Sequence, residues 1–359
     1  MNNNHYIAIM AGGVGSRFWP ASTVQTPKQF LDILGVGKSL LRLTFERFLN
    51  IVPVENILIV TNKKYKALTI EHLPELPLKN ILCEPSRNNT GPSVAYTALK
   101  LRAMNPDAVF VMAPSDHVIL KESLFLNKIK QAFSFVKSND AIVTLGIKPT
   151  RPDTGYGYIE TICKCEGDNI DDSVGVCSVK AFREKPNKQT AQQYIDIGGY
   201  LWNAGIFIWK ADKLIQSFEK NAPDIIKVLS QDLSKYNTPK EQKYIDQVYP
   251  NTPSISVDYA ILEKATNVYT IPADIGWSDL GTWNSLHAYL DKDKNKNIIQ
   301  GKNTYLIDTH NSIIRSTDNK KVVIKGIDNY IVVDEPGALL IYPIADEQEI
   351  KEVVKKLES

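Results

Sequence analysis

The first 145 residues alternate short apolar runs with segments of helical periodicity, and this pattern limits the possible folds more than any other feature. Each apolar run is five or six residues long, which favours a buried strand, and the segments between the runs favour helices. The predicted strands are His5–Met10, Asn56–Thr61, Lys79–Glu84, Ala108–Met112 and Ala141–Leu145. The predicted helices are Ser39–Ile51 with Ser39 as N-cap, Lys63–His72, Gly91–Met104 and Glu122–Lys137. This alternation predicts right-handed crossovers and a Rossmann-like α/β fold, with a mixed, mainly parallel sheet and helices on both faces.

After Thr150 the pattern is less regular, and after Asp291 the composition changes. We predict strands at Tyr156–Glu160, Val174–Phe182 and Ala204–Trp209, helices from Ala211 to Tyr249, and a helix at Asp258–Lys264. Five short β-prone pieces follow at Thr304–Asp308, Ser312–Ser316, Lys321–Ile324, Tyr330–Asp334 and Ala338–Tyr342. Their spacing predicts a small β-helix-like or sandwich module that ends in the amphipathic helix Asp346–Leu357. We therefore predict an α/β domain over residues 1–290 and a β-strand module over residues 291–359.

Composition excludes several classes of function. The net charge is +2 and the isoelectric point is near 8.1, which gives no electrostatic case for binding nucleic acid or a membrane surface. No apolar run approaches the roughly 20 residues of a membrane-spanning helix, and the N-terminus lacks the basic start of a signal peptide. The four cysteines have the spacing of neither a disulfide framework nor a zinc site. We expect a cytoplasmic protein with reduced thiols.

A glycine-rich loop, Met10–Arg17, directly follows the first predicted strand. Glycines let backbone N–H groups come close to phosphate oxygens, and Arg17 and Lys28 add cations that suit phosphate. A tight turn without a ligand is the alternative, since a glycine cluster alone is weak support for a phosphate site. A nicotinamide-binding fingerprint would need glycine where Phe18 stands, and a P-loop would need Gly-Lys-Ser or Gly-Lys-Thr, so the sequence fits neither.

The stretch A-G-G-V-G-S-R-F-W-P-A-S from Ala11, with P-K-Q-F from Pro27, resembles the nucleoside-triphosphate loop of sugar nucleotidylyltransferases. The F-W-P and P-K-Q-F variants look like the mannose-1-phosphate guanylyltransferase branch of that family. The resemblance implies that the glycines wrap a triphosphate and that two cations hold its oxygens. By this resemblance the roles fall on Gly12, Gly13, Gly15, Arg17 and Lys28.

A second matching run, Glu84–Pro92, follows the third predicted strand and enters a helix. It resembles the family's E-P-x-x-R-N-T-A-P run near the guanine. The candidates for nucleotide contacts are Arg87, Asn89 and Thr90. This chain has one additional polar residue in register, and Gly91 where the family has alanine, so the resemblance does not assign which side chain touches the base. An N-capped helix entry is the alternative interpretation, and it is compatible with base binding.

Two aspartates are the candidate metal ligands. Asp116 belongs to the P-S-D-H run after the fourth predicted strand, and Mg²⁺ is typically held by one or two carboxylates together with substrate phosphates. The run resembles the family's metal-binding motif. Asp279, in the G-W-S-D-L-G run, is the second candidate by the same resemblance. A helix cap is the alternative for either aspartate, and His117 is either a general base or a structural histidine.

Three further runs resemble the family's sugar side: T-G-Y-G-Y-I-E from Thr154, F-R-E-K-P from Phe182 and W-N-A-G-I-F from Trp202. A later matching run begins at Ser256. The implied sugar-binding residues are Gly157, Glu184, Asn203 and Asp258. The resemblance also implies that Lys185 contacts the sugar phosphate, and we expect Pro186 to fix Lys185 in extended geometry. Without the resemblance, aromatic residues at these spacings would more often belong to the core.

The matching runs occur in the family's order from Ile7 to Leu290 and imply a Mg²⁺-dependent enzyme that joins GTP and α-D-mannose 1-phosphate into GDP-mannose and pyrophosphate. The implied catalytic residues are Arg17, Lys28, Asp116 and Lys185. Two alternatives stay open: a nucleotidylyltransferase for a heptose, fucose or glucose 1-phosphate, and a non-catalytic homologue that binds GDP-sugar. The sequence stops where longer relatives continue into an isomerase domain, so we expect a monofunctional transferase. The C-terminal strands and helix suit packing on a second copy, so we expect a homodimer.

Overall fold

The first predicted strand forms with its predicted bounds in the computed structural model, which describes residues 4–13, 15–162 and 175–358. The strands are β1 (His5–Met10), β2 (Ile57–Asn62), β3 (Ile81–Glu84), β4 (Val109–Pro114), β5 (Val118–Ile119), β6 (Ile142–Ile147), β7 (Tyr158–Thr161), β8 (Cys177–Arg183), β9 (Tyr200–Lys210), β10 (Val268–Pro272), β11 (Trp277–Ser278), β12 (Ile298–Gln300), β13 (Thr304–Ile307), β14 (Ile313–Ser316), β15 (Val322–Lys325), β16 (Tyr330–Glu335) and β17 (Ala338–Pro343). The helices are α1 (Leu40–Leu49), α2 (Lys66–His72), α3 (Thr90–Met104), α4 (Glu122–Ser138), α5 (Lys188–Ile197), α6 (Ala211–Asn221), α7 (Pro223–Leu229), α8 (Glu241–Val248), α9 (Trp283–Tyr289) and α10 (Ile350–Glu358). The predicted helix at residue 258 is a π-helical turn, Asp258–Leu262. The sequence does not predict β5, β10, β11, β12 or α5, and the predicted start of β8 at Val174 lies outside the described residues.

Contacts between Cα atoms divide the chain into two compact units, each discontinuous in sequence. The first unit contains Met1–Gly12, Phe45–Ser115 and Ile119–Trp277. The second unit contains Gly13–Thr44, Asp116–Val118 and Ser278–Ser359. Most of the glycine-rich loop thus belongs to the same unit as the C-terminal strands. A domain boundary at residue 290 stays a prediction.

One sheet of the first unit contains, among the described residues, nine strands in the order β3-β2-β1-β4-β9-β6-β10-β8-β7. The four neighbouring strands β3, β2, β1 and β4 are parallel to one another, as the alternation predicts. Ile7 of β1 aligns with Ile57 of β2 on one side and with Val111 of β4 on the other. β9 is antiparallel to both β4 and β6 and separates them. Sequence alternation does not predict this position, because the partners of a strand depend on packing against distant segments. Since β1, β3 and β4 run in the same direction, their carboxyl ends lie at one edge of the sheet.

α3 is a central helix of the first unit, and every residue from Gly91 to Leu101 is buried. Lys100 lies inside this core and pairs with Glu241 of α8, with 2.7 Å between Nζ and Oε2. The Tyr96 hydroxyl donates to the same carboxylate at 2.6 Å, as does the N–H of Asn237. The buried charges are therefore both paired and hydrogen-bonded, which is the condition for their stability in a core.

The C-terminal strands of the second unit stack in parallel. Ile298 of β12 aligns with Ile313 of β14, which aligns with Ile331 of β16, and all three side chains are buried. β13 and β15 form a second parallel pair, and β17 pairs with β16 in the antiparallel direction. Ile350 and Val354 of α10 join the same apolar cluster. This parallel stacking is that of a β-helix-like module, and it decides between the two predicted alternatives.

None of the described helices is long and apolar enough to cross a membrane. Cys83 has a free thiol, and burial raises its pKa. Cys177 is disulfide-bonded, so the expectation of reduced thiols is wrong for this residue. Cys163 and Cys165 lie outside the described residues. Spacing along the chain does not predict a disulfide, because bond formation depends on the distance between two cysteines in the fold.

Replacing Lys100 by methionine is expected to lower the free energy of unfolding by about 3–5 kcal/mol, because the buried Glu241 carboxylate loses its charge partner. Urea denaturation of the full chain measures this change. The matched control is Lys63→Met, which removes one partner of the exposed ion pair with Asp246 and is expected to cost less than about 1 kcal/mol. Equal losses in the two variants would contradict the assignment of Lys100 and Glu241 as a buried, mutually dependent pair.

Candidate active site

The glycine-rich run begins in the first unit, where β1 ends. The N–H of Ala11 donates to the Val60 carbonyl at 2.7 Å, and its carbonyl accepts from the Thr61 hydroxyl at 2.8 Å. Both backbone groups of Ala11 are therefore fixed against β2. A Cβ atom on Gly12 would lie 3.7 Å from Oε2 of Glu84, so the main chain passes close to a buried carboxylate at this point.

Glu84 is a buried acid at the end of β3. Its Oε1 atom accepts hydrogen bonds from the hydroxyls of Ser93 and Tyr249. Burial raises the pKa of the Glu84 carboxyl, and the two hydrogen bonds oppose that shift. Glu84 lies in a run that resembles the family's nucleotide segment, but sequence reasoning gives it no role. The signal that could have found it is an acid at the carboxyl end of a buried strand.

The rest of the glycine-rich loop lies in the second unit, against the P-K-Q-F segment. Gln29 is buried and donates from Nε2 to the Gly13 carbonyl at 3.0 Å. Gly15 has a φ of +72°, and a Cβ atom there would lie 2.5 Å from the Cβ atom of Lys28. Any other residue at position 15 would strain the backbone and displace Lys28, so the glycine is required by both conformation and packing.

The ammonium of Lys28 is buried and fully hydrogen-bonded. Its Nζ atom lies 2.7 Å from Oδ2 of Asp116, 3.0 Å from the carbonyl oxygen of Asp279 and 2.9 Å from that of Leu280. An ammonium has three N–H donors, and these three acceptors use all of them. Lys28 therefore links the segments that carry the two candidate metal ligands. To bind a phosphate directly, as the resemblance implies, it would have to exchange one of these acceptors.

Asp116 is the first of the two candidate metal ligands. About a third of its side chain is exposed (32%), so a ligand can reach it. Burial would raise the pKa of its carboxyl, but the charges of Lys28 and His117 outweigh burial and hold the pKa below its ordinary value. Asp116 is therefore ionised at neutral pH, which is the state that binds Mg²⁺.

Asp279 does not cap helix α9. That role belongs to Thr282, whose side chain accepts from the Ser285 N–H in a capping box, so the alternative of a capping aspartate is wrong at this position. The Oδ1 atom of Asp279 accepts from the Gly281 N–H at 3.0 Å, which orients the carboxylate within its own loop. Two carboxylates fit the donor chemistry of Mg²⁺, with phosphates supplying further oxygens. No group of three or more potential ligands from His, Cys, Asp and Glu occurs in the part of the chain that the structure describes.

Arg17 lies in the turn Ser16–Phe18 of the second unit. Its Nε atom is buried and has no hydrogen-bond partner among the described residues. The carboxylate of Glu347 accepts from the Asn284 N–H at 2.8 Å. Burial raises the pKa of the Glu347 carboxyl, and the charge of Arg17 opposes that shift. The sequence does not single out Glu347, because an acid near a charged terminal helix normally faces solvent.

In the run Glu84–Pro92, Asn88 has a structural role that the family resemblance does not explain. Asn88 is buried, and its Nδ2 atom donates to the carbonyls of Tyr249 and Thr252. Thr90 is tied to the same region, because its hydroxyl oxygen accepts from the Val257 N–H at 2.9 Å. The additional polar residue in this run therefore serves to fix the loop.

Arg87 and Asn89 are the exposed members of this run. Asn89 has a φ of +66° and caps α3 through a bond to the Thr90 N–H, so the capping interpretation is confirmed there. Arg87 donates to the Tyr65 hydroxyl at 3.0 Å. A Cβ atom on Gly91 would lie 2.7 Å from the Ile255 carbonyl oxygen, which accounts for glycine in place of alanine.

Asn203 of β9 lies in a polar cluster of the first unit. Its Oδ1 atom accepts from the Thr144 hydroxyl at 3.0 Å and from the Gly205 N–H at 3.1 Å, and its Nδ2 atom donates to Asp258 at 3.3 Å. Its backbone N–H donates to the Gly157 carbonyl at 2.8 Å. Three predicted sugar-binding residues are thus connected by direct hydrogen bonds, and Thr144 is a contributor that sequence reasoning missed.

Glu184 and Lys185 complete this cluster. A Cβ atom on Gly157 would lie 2.6 Å from Oε2 of Glu184, and the Lys185 ammonium pairs with Oε1 of the same carboxylate. Lys185 has a φ of +45°, so the prediction that Pro186 holds it in extended geometry is wrong. Neighbouring side chains in a strand point to opposite faces, and the left-handed turn lets Lys185 reach the residue beside it.

The charges in this cluster shift the pKa values of two of its members. Burial raises the pKa of Asp258 to about 6, and the nearby charge of Glu184 adds to the shift. Burial would lower the pKa of Lys185, but its contact with Glu184 outweighs burial and raises it. The cluster therefore has a permanent cation and a carboxyl that titrates near neutral pH.

Two family descriptions match the chain. Residues 7–296 match the family described as Nucleotidyl transferase, and residues 302–357 match the MannoseP isomerase/GMP-like beta-helix domain. The second match covers the C-terminal strands from β13 onward but not β12.

Similar proteins from bacteria extend these matches over almost the whole chain. Mannose-1-phosphate guanylyltransferase 2 of Escherichia coli O157:H7 is 36% identical, over 97% of this chain and 72% of its own length. Mannose-1-phosphate guanylyltransferase of Salmonella montevideo is 35% identical, over 97% of this chain and 73% of its own length. A solved structure from Thermus thermophilus, described as mannose-1-phosphate geranyltransferase, has a TM-score of 0.85 at 27% identity and covers 99% of this chain and 100% of its own.

The raised pKa of Asp258 predicts a pH-dependent stability difference between the wild-type chain and Asp258→Asn. A carboxyl with a higher pKa in the folded state binds its proton more tightly when folded, so its stabilising contribution is present below about pH 4 and is lost as the pH rises through about 6. Relative to the variant, the wild-type chain should lose free energy of unfolding over this interval and level off above it. Urea denaturation at several pH values measures the difference. Asp107→Asn, at an exposed position, is the control, and parallel curves for wild type and Asp258→Asn would contradict the shifted pKa.

Proposed function

We propose that this chain, which belongs to the nucleotidyl transferase family and to its mannose-1-phosphate guanylyltransferase branch, transfers GMP from GTP to α-D-mannose 1-phosphate and releases pyrophosphate. The observation that supports the proposal most directly is the arrangement around Lys28. A glycine with positive φ packs on this lysine, and the lysine pairs with an ionised aspartate that a metal can reach. Glycine backbone, cation and carboxylate are the groups that a metal-bound triphosphate requires.

In the second unit, the proposed roles concern the phosphates of the nucleotide. Backbone N–H groups of Gly13 and Gly15 bind phosphate oxygens, and Gly12 allows the chain to approach them closely. Arg17 is proposed to bind a phosphate oxygen with its guanidinium group, whose planar fork of N–H donors suits phosphate. Lys28 holds Asp116 and the Asp279 loop in place and offsets negative charge as the reaction proceeds.

Asp116 and Asp279 are the proposed ligands for Mg²⁺, which when bound neutralises charge on phosphate oxygens. The two residues fit this role because carboxylates are preferred ligands of hard cations and because Asp116 is ionised and accessible.

In the first unit, the proposed roles concern the base and the sugar phosphate. Arg87 and Asn89 are the exposed candidates for contact with guanine, and Thr90 holds their loop. Lys185 binds the phosphate of the sugar. The proposed sugar-hydroxyl contacts are Gly157, Glu184, Asn203 and Asp258.

The proposed reaction needs no general base. An oxygen of the sugar phosphate attacks the α-phosphorus of GTP in line, the bond to the β-phosphate oxygen breaks, and pyrophosphate leaves. The attacking phosphate is already ionised at neutral pH, since the second pKa of a phosphate monoester is about 6. Catalysis then consists of positioning two anions and offsetting their charge, which is the role of Arg17, Lys28 and Lys185.

The experiment that tests this function measures pyrophosphate release for the four nucleoside triphosphates against several sugar 1-phosphates, with and without Mg²⁺. We expect the highest rate with GTP, mannose 1-phosphate and Mg²⁺. A higher rate with a heptose, fucose or glucose 1-phosphate would show that the proposed sugar is wrong, whereas the proposed type of reaction would stand. No release with any pair, despite binding of GDP-sugar, would establish the non-catalytic alternative, although Arg17, Asp116 and Lys185 are all present.

We further propose that the chain forms a homodimer through the outer strands of the β-helix-like module. Tyr305 of β13 and Val323 of β15 are register partners, and their side chains are 73% and 68% exposed. Adjacent exposed apolar side chains of this kind favour contact with another protein surface. Light scattering should give twice the chain mass of 40.3 kDa, and Tyr305→Lys should shift the protein toward the monomer. A wild-type monomer at working concentration would contradict the dimer.

Lys185→Ala and Asp116→Asn are each expected to reduce kcat by roughly 100-fold or more, the scale on which one electrostatic stabiliser of a reaction is lost. Steady-state pyrophosphate release measures the effect. The matched controls are Lys188→Ala and Asp107→Asn, at exposed positions in the same unit as Lys185. Turnover close to the wild-type rate in either active-site variant would remove that residue from the mechanism.

A further inference from the structure

Thr144 of β6 is a buried member of the polar cluster in the first unit, and the proposed function gives it no role. Its side chain is 0% exposed, so a ligand cannot touch it directly. Its hydroxyl oxygen lies 3.0 Å from Oδ1 of Asn203 and 3.0 Å from the Ile206 carbonyl oxygen. Both partners can only accept, so the hydroxyl donates its single hydrogen to this pair. Any effect of Thr144 on a ligand therefore passes through these partners.

The two acceptors belong to an irregular part of the sheet. Thr144 aligns with Phe207 of β9, whereas Gly146 aligns with Asn203, so one residue of β6 stands opposite three residues of β9. A bulge of this kind bends the strand locally and redirects the side chains beside it. Inside the bulge, Gly205 has a φ of +67°, and its N–H donates to Oδ1 of Asn203 at 3.1 Å. The Thr144 hydroxyl thus spans a bulge that begins directly after a proposed sugar contact.

The orientation of the Asn203 amide leaves one donor for a ligand. Its Oδ1 atom accepts from two protein groups, the Thr144 hydroxyl and the Gly205 N–H. Its Nδ2 atom carries two N–H donors, and one of them bonds to Asp258 at 3.3 Å. The second N–H has no partner among the described residues, and the Asn203 side chain is partly exposed. A ligand that reaches Asn203 therefore meets a donor, which suits the oxygen of a sugar hydroxyl.

We propose that Thr144 is a positioning residue for the sugar phosphate, because its hydroxyl spans the β9 bulge and holds the Asn203 amide with one N–H available to the sugar. The inference rests on the proposed function, since it requires Asn203 to contact the sugar. Without the Thr144 hydroxyl, Oδ1 of Asn203 keeps only the Gly205 N–H, and the amide gains freedom to rotate. Binding of the sugar must then order this side chain, which lowers the affinity for that substrate.

The test is a double-mutant cycle on the full chain with Thr144→Val and Asn203→Ala, read by the KM of each substrate in pyrophosphate release. The sugar substrate is the 1-phosphate that gives the highest wild-type rate with GTP and Mg²⁺. Valine keeps the shape of threonine but cannot donate a hydrogen bond. We expect Thr144→Val to raise the KM for the sugar phosphate roughly fivefold, the scale of one hydrogen bond, and to leave the KM for GTP within about twofold. In the Asn203→Ala background, Thr144→Val should add less than about twofold.

Two control variants separate the hydroxyl from packing and from burial. Thr144→Ser retains the hydroxyl and should keep the KM for the sugar phosphate within about twofold of the wild-type value. Thr309→Val removes another buried hydroxyl, which bonds to the Ile307 carbonyl at 3.0 Å in the second unit, and should leave both KM values unchanged. Thermal denaturation of each variant distinguishes a loss of stability from a loss of substrate binding.

An unchanged KM for the sugar phosphate in Thr144→Val would overturn the proposal even if the melting temperature falls, because Thr144 would then have a structural role alone. An equal rise in both KM values would also overturn it, as would the same rise in Thr144→Ser or with Asn203 already replaced. If Thr144→Val does not fold, Thr144→Ala removes the same hydroxyl, and an unchanged KM for the sugar phosphate there would overturn the proposal. A wild-type chain that releases no pyrophosphate with any sugar phosphate would overturn the proposed function and this inference together.

Discussion

The ammonium of Lys28 is the interaction on which the second unit depends. A buried charge is costly unless it is paired and hydrogen-bonded, and here one carboxylate and two backbone carbonyls meet all three donors. Lys28 in turn constrains each partner. Its charge helps to keep Asp116 ionised, and its bonds to the Asp279 and Leu280 carbonyls hold the main chain of that loop. Gly15 is part of the same arrangement, because a larger residue would occupy the place of the lysine side chain. The charge on the Lys28 side chain thus helps to determine the geometry of the glycine-rich loop, of Asp116 and of the Asp279 segment.

In the first unit, the polar side chains around Asn203 are held in place by hydrogen bonds and charge contacts with one another. Asn203 uses both its side-chain oxygen and its side-chain nitrogen within the cluster, so its amide cannot rotate without breaking hydrogen bonds. Lys185 pairs with Glu184, and Lys185 itself has a left-handed backbone conformation, which a strand pattern in the sequence does not predict. Asp258 is buried beside these groups. Burial raises the pKa of its carboxyl, and the charge of Glu184 adds to the shift. The members of this cluster are oriented by one another, which is the preorganisation that the proposed sugar-phosphate site requires.

Local features of the sequence predicted much of the fold, and long-range contacts explain what it did not predict. β1 follows from one apolar run, and the regular short strands predicted a β-helix-like or sandwich module, of which the structure shows the β-helix-like one. The place of β9 between β4 and β6 depends on partners far away in sequence, and so does the bond from Lys28 to Leu280, which spans 252 positions. The family motifs located Arg17, Asp116 and Lys185 as candidates, and their roles stay predictions. The motifs could not locate Glu347, because its burial results from packing between segments that carry no common motif.

The discontinuity of the second unit has a consequence for the order in which the chain can fold. Its segments come from both ends of the chain, so their contacts close very long loops, and such contacts form late because loop closure costs entropy before any contact compensates it. During synthesis, the glycine-rich run leaves the ribosome early, whereas the carbonyls that accept from Lys28 follow about 250 residues later. Until the Asp279 and Leu280 carbonyls are in place, two of the three acceptors of the Lys28 ammonium are missing, and we expect the ammonium to stay hydrated. The glycine-rich loop, although nearly the first part of the chain to be made, is therefore among the last to acquire its structure.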